Sequence, residues 1–110
     1  MLSPLSGSTG VLFHITPEEN AQSIDTSGVL PMYSKGKMQV SWYVRRSEIL
    51  WALAHTSSRH DLPTNRLVVC AVVIEWEKMK RTSRQGFYYT YERYFVESIS
   101  PAVMFIEQDK

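Results

Sequence analysis

The uninterrupted apolar run Leu67-Val68-Val69-Cys70-Ala71-Val72-Val73-Ile74 constrains this chain more than any other feature. Its β-branched residues favour a strand. The lack of apolar-polar alternation means that neither face of that strand can meet water. Such a strand sits at the centre of a sheet, with further layers above and below it. A chain of 110 residues has room for one such core, and its 44% hydrophobic content supplies the material to fill it.

The flanking segments provide the layers. Residues 1–10, MLSPLSGSTG, read as a flexible Ser, Gly and Pro leader, and a single domain is expected over 11–110. VLFHI, from Val11, has strand composition. Thr16-Pro17-Glu18-Glu19 then offers a helix cap at Thr16, a proline at the first helical position and a Glu three residues after the cap. Ala21 and Ile24 give that helix an apolar side, and Gly28 suits its end. Val29-Leu30-Pro31 follows as a short extended piece, and Ser34 to Lys37 as a polar turn. Gln39 to Val44, QVSWYV, is a second strand. Ser47 and Glu48 open a second helix, with Ile49, Leu50, Leu53 and Ala54 at helical spacing, fading near Ser57. After the apolar strand and a charged turn around Lys78 to Gln85, strands are expected at Phe87 to Tyr89, Tyr94 to Glu97 and Val103 to Ile106, with Ser100-Pro101 as the break between the last two. The pattern is α+β: a small mixed, mainly antiparallel sheet with two short helices.

Several function classes drop out. A net charge of +1 gives no broad attraction for polyanions. The lone Cys70 can form neither an internal disulfide nor a cysteine metal cluster, and it reads as a small buried hydrophobe. His14, His55 and His60 lack metal-ligand spacing, so no metal is expected. The first residues have neither a basic flank nor a sustained apolar run, so no secretory signal or membrane span is read there. A cytoplasmic protein is the default expectation, with export as a toxin domain left open. Phe87, Tyr88, Tyr89, Tyr91, Tyr94 and Phe95, with Arg84 and Arg93 among them, could stack bases of single-stranded nucleic acid. Strand alternation gives the simpler reading, in which alternate rings face the core.

The order of pieces, LFHIT, a helix ending at Gly28 with Leu30-Pro31 behind it, SWYV leading into a helix, and a late strand near Glu92, resembles the ADP-ribosyltransferase superfamily. The similarity is to its His, Tyr and Glu branch, which includes poly(ADP-ribose) polymerases and diphtheria toxin. SWYVRRSEILWALAH is also similar to the strand and helix of DNA- and toxin-type members, and GFYYTYERYFVESISPAVM to the closing strands of RNA 2′-phosphotransferases. The resemblance implies a split β-sheet core and NAD as substrate, with ADP-ribose transferred to a protein or nucleic-acid acceptor. It implies His14, Tyr43 and Glu92 as the catalytic set, with Thr16 beside His14.

NAD cleavage passes through an oxocarbenium-like state related to that of glycoside hydrolysis. The resemblance accordingly gives Glu92 the task of stabilising that charge at the ribose 2′-hydroxyl. His14 and Thr16 would hold ribose hydroxyls, and Tyr43 would offer a π-face to nicotinamide. Arg45 and Arg46 follow the strand and carry the guanidinium forks that suit a pyrophosphate. Strand alternation admits one of Glu92 and Glu97 to a cleft, and the resemblance favours Glu92. Two alternatives stand beside this reading. One is an RNA 2′-phosphotransferase, which needs basic residues converging on a phosphate. The other is a non-catalytic module of the same fold that binds a nucleotide or a protein.

Overall fold

The computed structural model describes residues 8–33, 39–82 and 86–108. In chain order the elements are β1 (Thr9–Pro17), α1 (Ala21–Ser27), β2 (Met32–Tyr33), β3 (Gln39–Val44), α2 (Ile49–His60), β4 (Leu67–Glu75), β5 (Lys80–Arg81), β6 (Phe87–Thr90), β7 (Ser98–Pro101) and α3 (Val103–Gln108). Six strands form one sheet in the order β5-β6-β3-β1-β4-β7, with β2 added to β3, and each pairing is antiparallel. The expected α+β architecture is present, with α3 as a third helix.

The sheet is covered on both faces, as the apolar run requires. On one face Leu12, Tyr43, Val68, Cys70, Val72, Ile74 and Tyr88 pack with Ile24 of α1 and with Tyr94 and Val96. On the other, Phe13, Val44, Leu67 and Val69 pack against Ile49, Ala52 and Leu53 of α2 and Phe105 of α3. The alternation of side chains along β1, β3, β4 and β6 sorts the two sets. Coverage is incomplete toward the far end of β4, where Val73 is 41% exposed opposite Val11 at 51%, and at Trp42 of β3.

Several expectations need correction. β4 is the fifth of six strands, and the centre belongs to β3 and β1; two-sided burial of β4 comes from the helices and from Tyr94 and Val96, not from a middle position. β1 begins at Thr9, two residues before the expected start, because Thr9 and Gly10 pair with Glu75 and Ile74. It also runs on through Pro17, so Thr16 is not a helix cap. Thr16 and Pro17 pair with Val68 and Leu67, and a 3-10 turn over Glu18–Asn20 leads into α1 instead. Ladder pairing along a nine-residue strand outweighs a local capping signal.

α2 starts after a 3-10 turn at Arg46–Glu48 and passes the expected stop near Ser57 to reach His60. Asp61 ends it in the left-handed conformation (φ 54), and the Leu62 N–H donates to the Ser57 carbonyl at 3.1 Å. Tyr94 to Glu97 is not a strand; Tyr94 forms an isolated bridge with Val29. Ser100 and Pro101 are not a break but the end of β7, an edge strand, where a proline costs no ladder bond. Val103 to Ile106 is helical, since a short apolar run carries no period that separates helix from strand. The expected turn at 34–37 lies outside the described residues. No described helix is long and apolar enough to cross a membrane.

Gly28 fixes how the Tyr91–Glu97 segment lies on the sheet. It has φ 79 and ψ −177, a region essentially reserved for glycine. A β-carbon there would meet the Tyr94 carbonyl oxygen at 2.6 Å. Next to it, the Val29 N–H donates to that same oxygen at 2.8 Å. Gly28→Ala therefore combines backbone strain with a backbone clash, and urea denaturation should show a loss of about 3 kcal/mol.

Candidate functional site

β1 and β3 meet at one point and then part. Their register joins Phe13 to Val44. Beyond that pair the Trp42 carbonyl is met by a side chain rather than by the neighbouring strand: His14 Nδ1 lies 2.8 Å from it. Because a carbonyl only accepts, the proton belongs on Nδ1, and Nε2 carries the lone pair in the neutral ring. Among the described residues Nε2 has no partner, and no buried side-chain nitrogen or oxygen lacks one, so Nε2 is accessible. Burial holds the imidazole below its ordinary pKa of 6.5, and the bond to Trp42 offsets part of that effect.

A cleft of about 60 Å³ occupies the parting, which is room for about two waters. Phe13, His14 and Ile15 of β1 and Trp42, Tyr43 and Val44 of β3 line it. Ala52 and Thr56 of α2 and Phe87 of β6 complete the wall. Alternation puts Trp42 and Phe87 on the α2 side of the sheet, and Trp42 remains 37% exposed.

Tyr43 does join His14, with ring centroids 5.7 Å apart. The phenol is nevertheless only 1% exposed. Tyr94 packs edge-on against it at 6.4 Å, and its oxygen accepts from the Ser41 hydroxyl at 3.5 Å. Burial pushes its pKa up to about 12, with smaller contributions from Tyr94 and Cys70, so it stays protonated. His14 and Cys70 are cross-strand partners on the same face. Burial likewise pushes the Cys70 thiol up to about 11, which makes it inert.

The other expected residues are more dispersed. Thr16 is buried, and its hydroxyl accepts from the Asn20 side-chain amide at 2.9 Å. Glu92 lies two residues past β6, half-exposed, with its N–H donating to the Thr90 hydroxyl at 3.1 Å and its carboxylate 3.3 Å from Lys78 Nζ. That contact raises the Lys78 ammonium above its usual pKa. Glu92 has no contact with His14 or Tyr43; the Tyr94 phenol, which packs on Tyr43, is raised mainly by burial and also feels the charges of Glu75 and Glu92. Glu97 is exposed, and its N–H donates to the Ala71 carbonyl at 2.8 Å. Since neither carboxylate sits on a strand, strand alternation does not choose between them. Arg45 lies over Tyr88 at 5.4 Å and Arg46 over Phe105 at 5.8 Å. Those rings belong to opposite faces of the sheet, so the two guanidinium groups diverge.

Two rings were not expected at the site from the sequence: Tyr94, which packs edge-on against Tyr43, and Trp42, which lines the cleft. For Trp42 a signal was present: in a strand, a buried Tyr43 sends its neighbour to the other face. The sequence matches no protein-family model, and no curated protein matches it.

Burial of the His14 imidazole makes a pH-dependent contribution with a definite sign, which the bond to Trp42 partly offsets. A folded pKa below the unfolded value means that the unfolded chain binds the extra proton, so this stability is complete above about pH 6.5 and is lost as pH falls through the folded value. Urea midpoints between pH 7 and pH 5 should fall more steeply for the wild type than for His14→Gln. The variant should be about 1 kcal/mol less stable at pH 7 through loss of the hydrogen bond.

Proposed function

We propose that this chain binds NAD over the sheet, with one ribose hydroxyl at the parting of β1 and β3, and transfers its ADP-ribose to a protein or nucleic-acid acceptor. The observation that carries the reading is the juxtaposition of His14 and Tyr43 beside a cleft in the sheet. His14, neutral and oriented by the Trp42 carbonyl, presents Nε2 as an acceptor for a ribose hydroxyl. Tyr43 packs beside the imidazole and fixes it. Glu92 supplies the anion for the oxocarbenium-like state after exchanging Lys78 for substrate. Both partners in that contact are about half exposed, so the exchange is easy.

An RNA 2′-phosphotransferase needs basic residues converging on a phosphate, for which Arg45, Arg46, Arg84 and Arg93 are the candidates. The divergence of Arg45 and Arg46 weighs against those two acting together, and Arg84 lies outside the described residues. Binding without transfer is the second reading. Two observations favour it: the 1% exposure of Tyr43 and the engagement of Glu92 with Lys78.

Calorimetric titration with NAD, followed by mass spectrometry for free nicotinamide, tests both. Transfer predicts binding with nicotinamide release. Glu92→Gln should lower the rate by at least about a hundredfold while leaving affinity within about threefold. Release that persists in Glu92→Gln removes Glu92 from its role. Binding without release supports the second reading, and absence of binding overturns both.

A further inference from the structure

The aromatic cluster of β6 is not absorbed by the NAD reading. Tyr88 turns inward and is 5% exposed. Tyr89 turns to the opposite face and is partly exposed. Trp42, Tyr89 and Lys80 are successive cross-strand partners on β3, β6 and β5, which places their side chains in one row on one face. The ring centroids of Trp42 and Tyr89 are 5.3 Å apart, and Tyr91 extends the row at 6.1 Å from Tyr89. Trp42 is 37% exposed and Tyr91 56%. At the edge, Lys80 and Arg81 are exposed and, among the described residues, hold no ion pair.

We propose that the row Trp42-Tyr89-Tyr91 with Lys80 is a binding surface for single-stranded nucleic acid, the bases stacking on the rings and a phosphate meeting Lys80. The chemistry of the row selects this occupant. Stacking needs π-faces without demanding a base identity, and the backbone needs a free cation beside them. A second copy of the chain would be a poor fit, because it would bring another unpaired Lys80 to the same row. The rings tilt by 46° and 83° to one another, so each offers a separate face rather than one flat apolar wall. Trp42 also lines the cleft, so a strand lying on the row ends at its mouth. None of this depends on NAD.

The test is fluorescence anisotropy of a labelled polythymidine of about twelve nucleotides, a length within the usual site size. The full chain should bind it more tightly than a duplex of the same length, with affinity falling as salt rises. Tyr91→Ala should weaken binding between about fivefold and a hundredfold. Lys80→Ala should reduce the slope of log affinity against log salt by about 0.7. Unchanged thermal melting of both variants guards against unfolding. Three results would overturn the proposal: no binding at low salt, equal binding of duplex, or wild-type affinity in both Tyr89→Ala and Tyr91→Ala. Sedimentation showing a dimer that Tyr91→Ala dissociates would assign the row to self-association and overturn it as well.

Discussion

A single side-chain hydrogen bond, from His14 to the carbonyl of Trp42, holds open the gap on which the candidate site depends. Where β1 and β3 part, the Trp42 carbonyl loses its ladder partner. The imidazole supplies one without drawing the strands together. β3 is meanwhile held from elsewhere, by β6 from Ser41 to Val44 and by β2 at Gln39 and Val40. The parting is thus stabilised on both banks. An ordinary ladder at this place would have closed the cleft.

The two faces of the sheet do different work. Beneath α1, His14, Tyr43, Cys70 and Tyr94 form a packed, uncharged set in which the aromatic contacts fix the imidazole from more than one side. Across the sheet, α2 spans only part of β3 and β6, leaving Trp42 and Tyr91 with open faces. Rigid support behind and reachable rings in front is the arrangement that a binding surface needs, since a group held by packing loses little freedom on binding.

Legibility in the sequence followed the strength of the local period. LVVCAVVI declared two-sided burial because no polar residue interrupts it, whereas alternation in QVSWYV sets Tyr43 on the face of Gln39 and Ser41 and did not announce its burial. What failed were signals that tertiary pairing overrode. Thr16-Pro17 has the form of a helix cap, yet β4 offered both residues ladder partners. VMFI has strand composition, yet after Pro101 it turns as a helix that packs Phe105 against Phe13. His14 and Tyr43 lie together on one face, but Glu92 touches neither, and Tyr94, which packs on Tyr43, belongs to a segment without regular structure. That segment is positioned by Gly28 and by the Val29 to Tyr94 bond, and no periodicity encodes it.

The charge states of these groups separate what the packed face can do from what it cannot. With Tyr43 protonated up to about pH 12 and His14 biased toward neutrality, the buried pair offers dipoles and lone pairs, not charge. It can hold a hydroxyl or an amide but cannot balance a developing cation. A carboxylate has to come from the rim, where Glu92 sits against Lys78. Two routes would complete a transfer site: uncovering the Tyr43 ring, or releasing Glu92. The first breaks the packing of Tyr94 and exposes an aromatic ring buried among apolar neighbours, at a cost of several kcal/mol. The second only exchanges one half-exposed partner for another, with water able to solvate both during the exchange. Any transfer by this fold therefore runs through the mobility of a surface ion pair, with the buried rings held still.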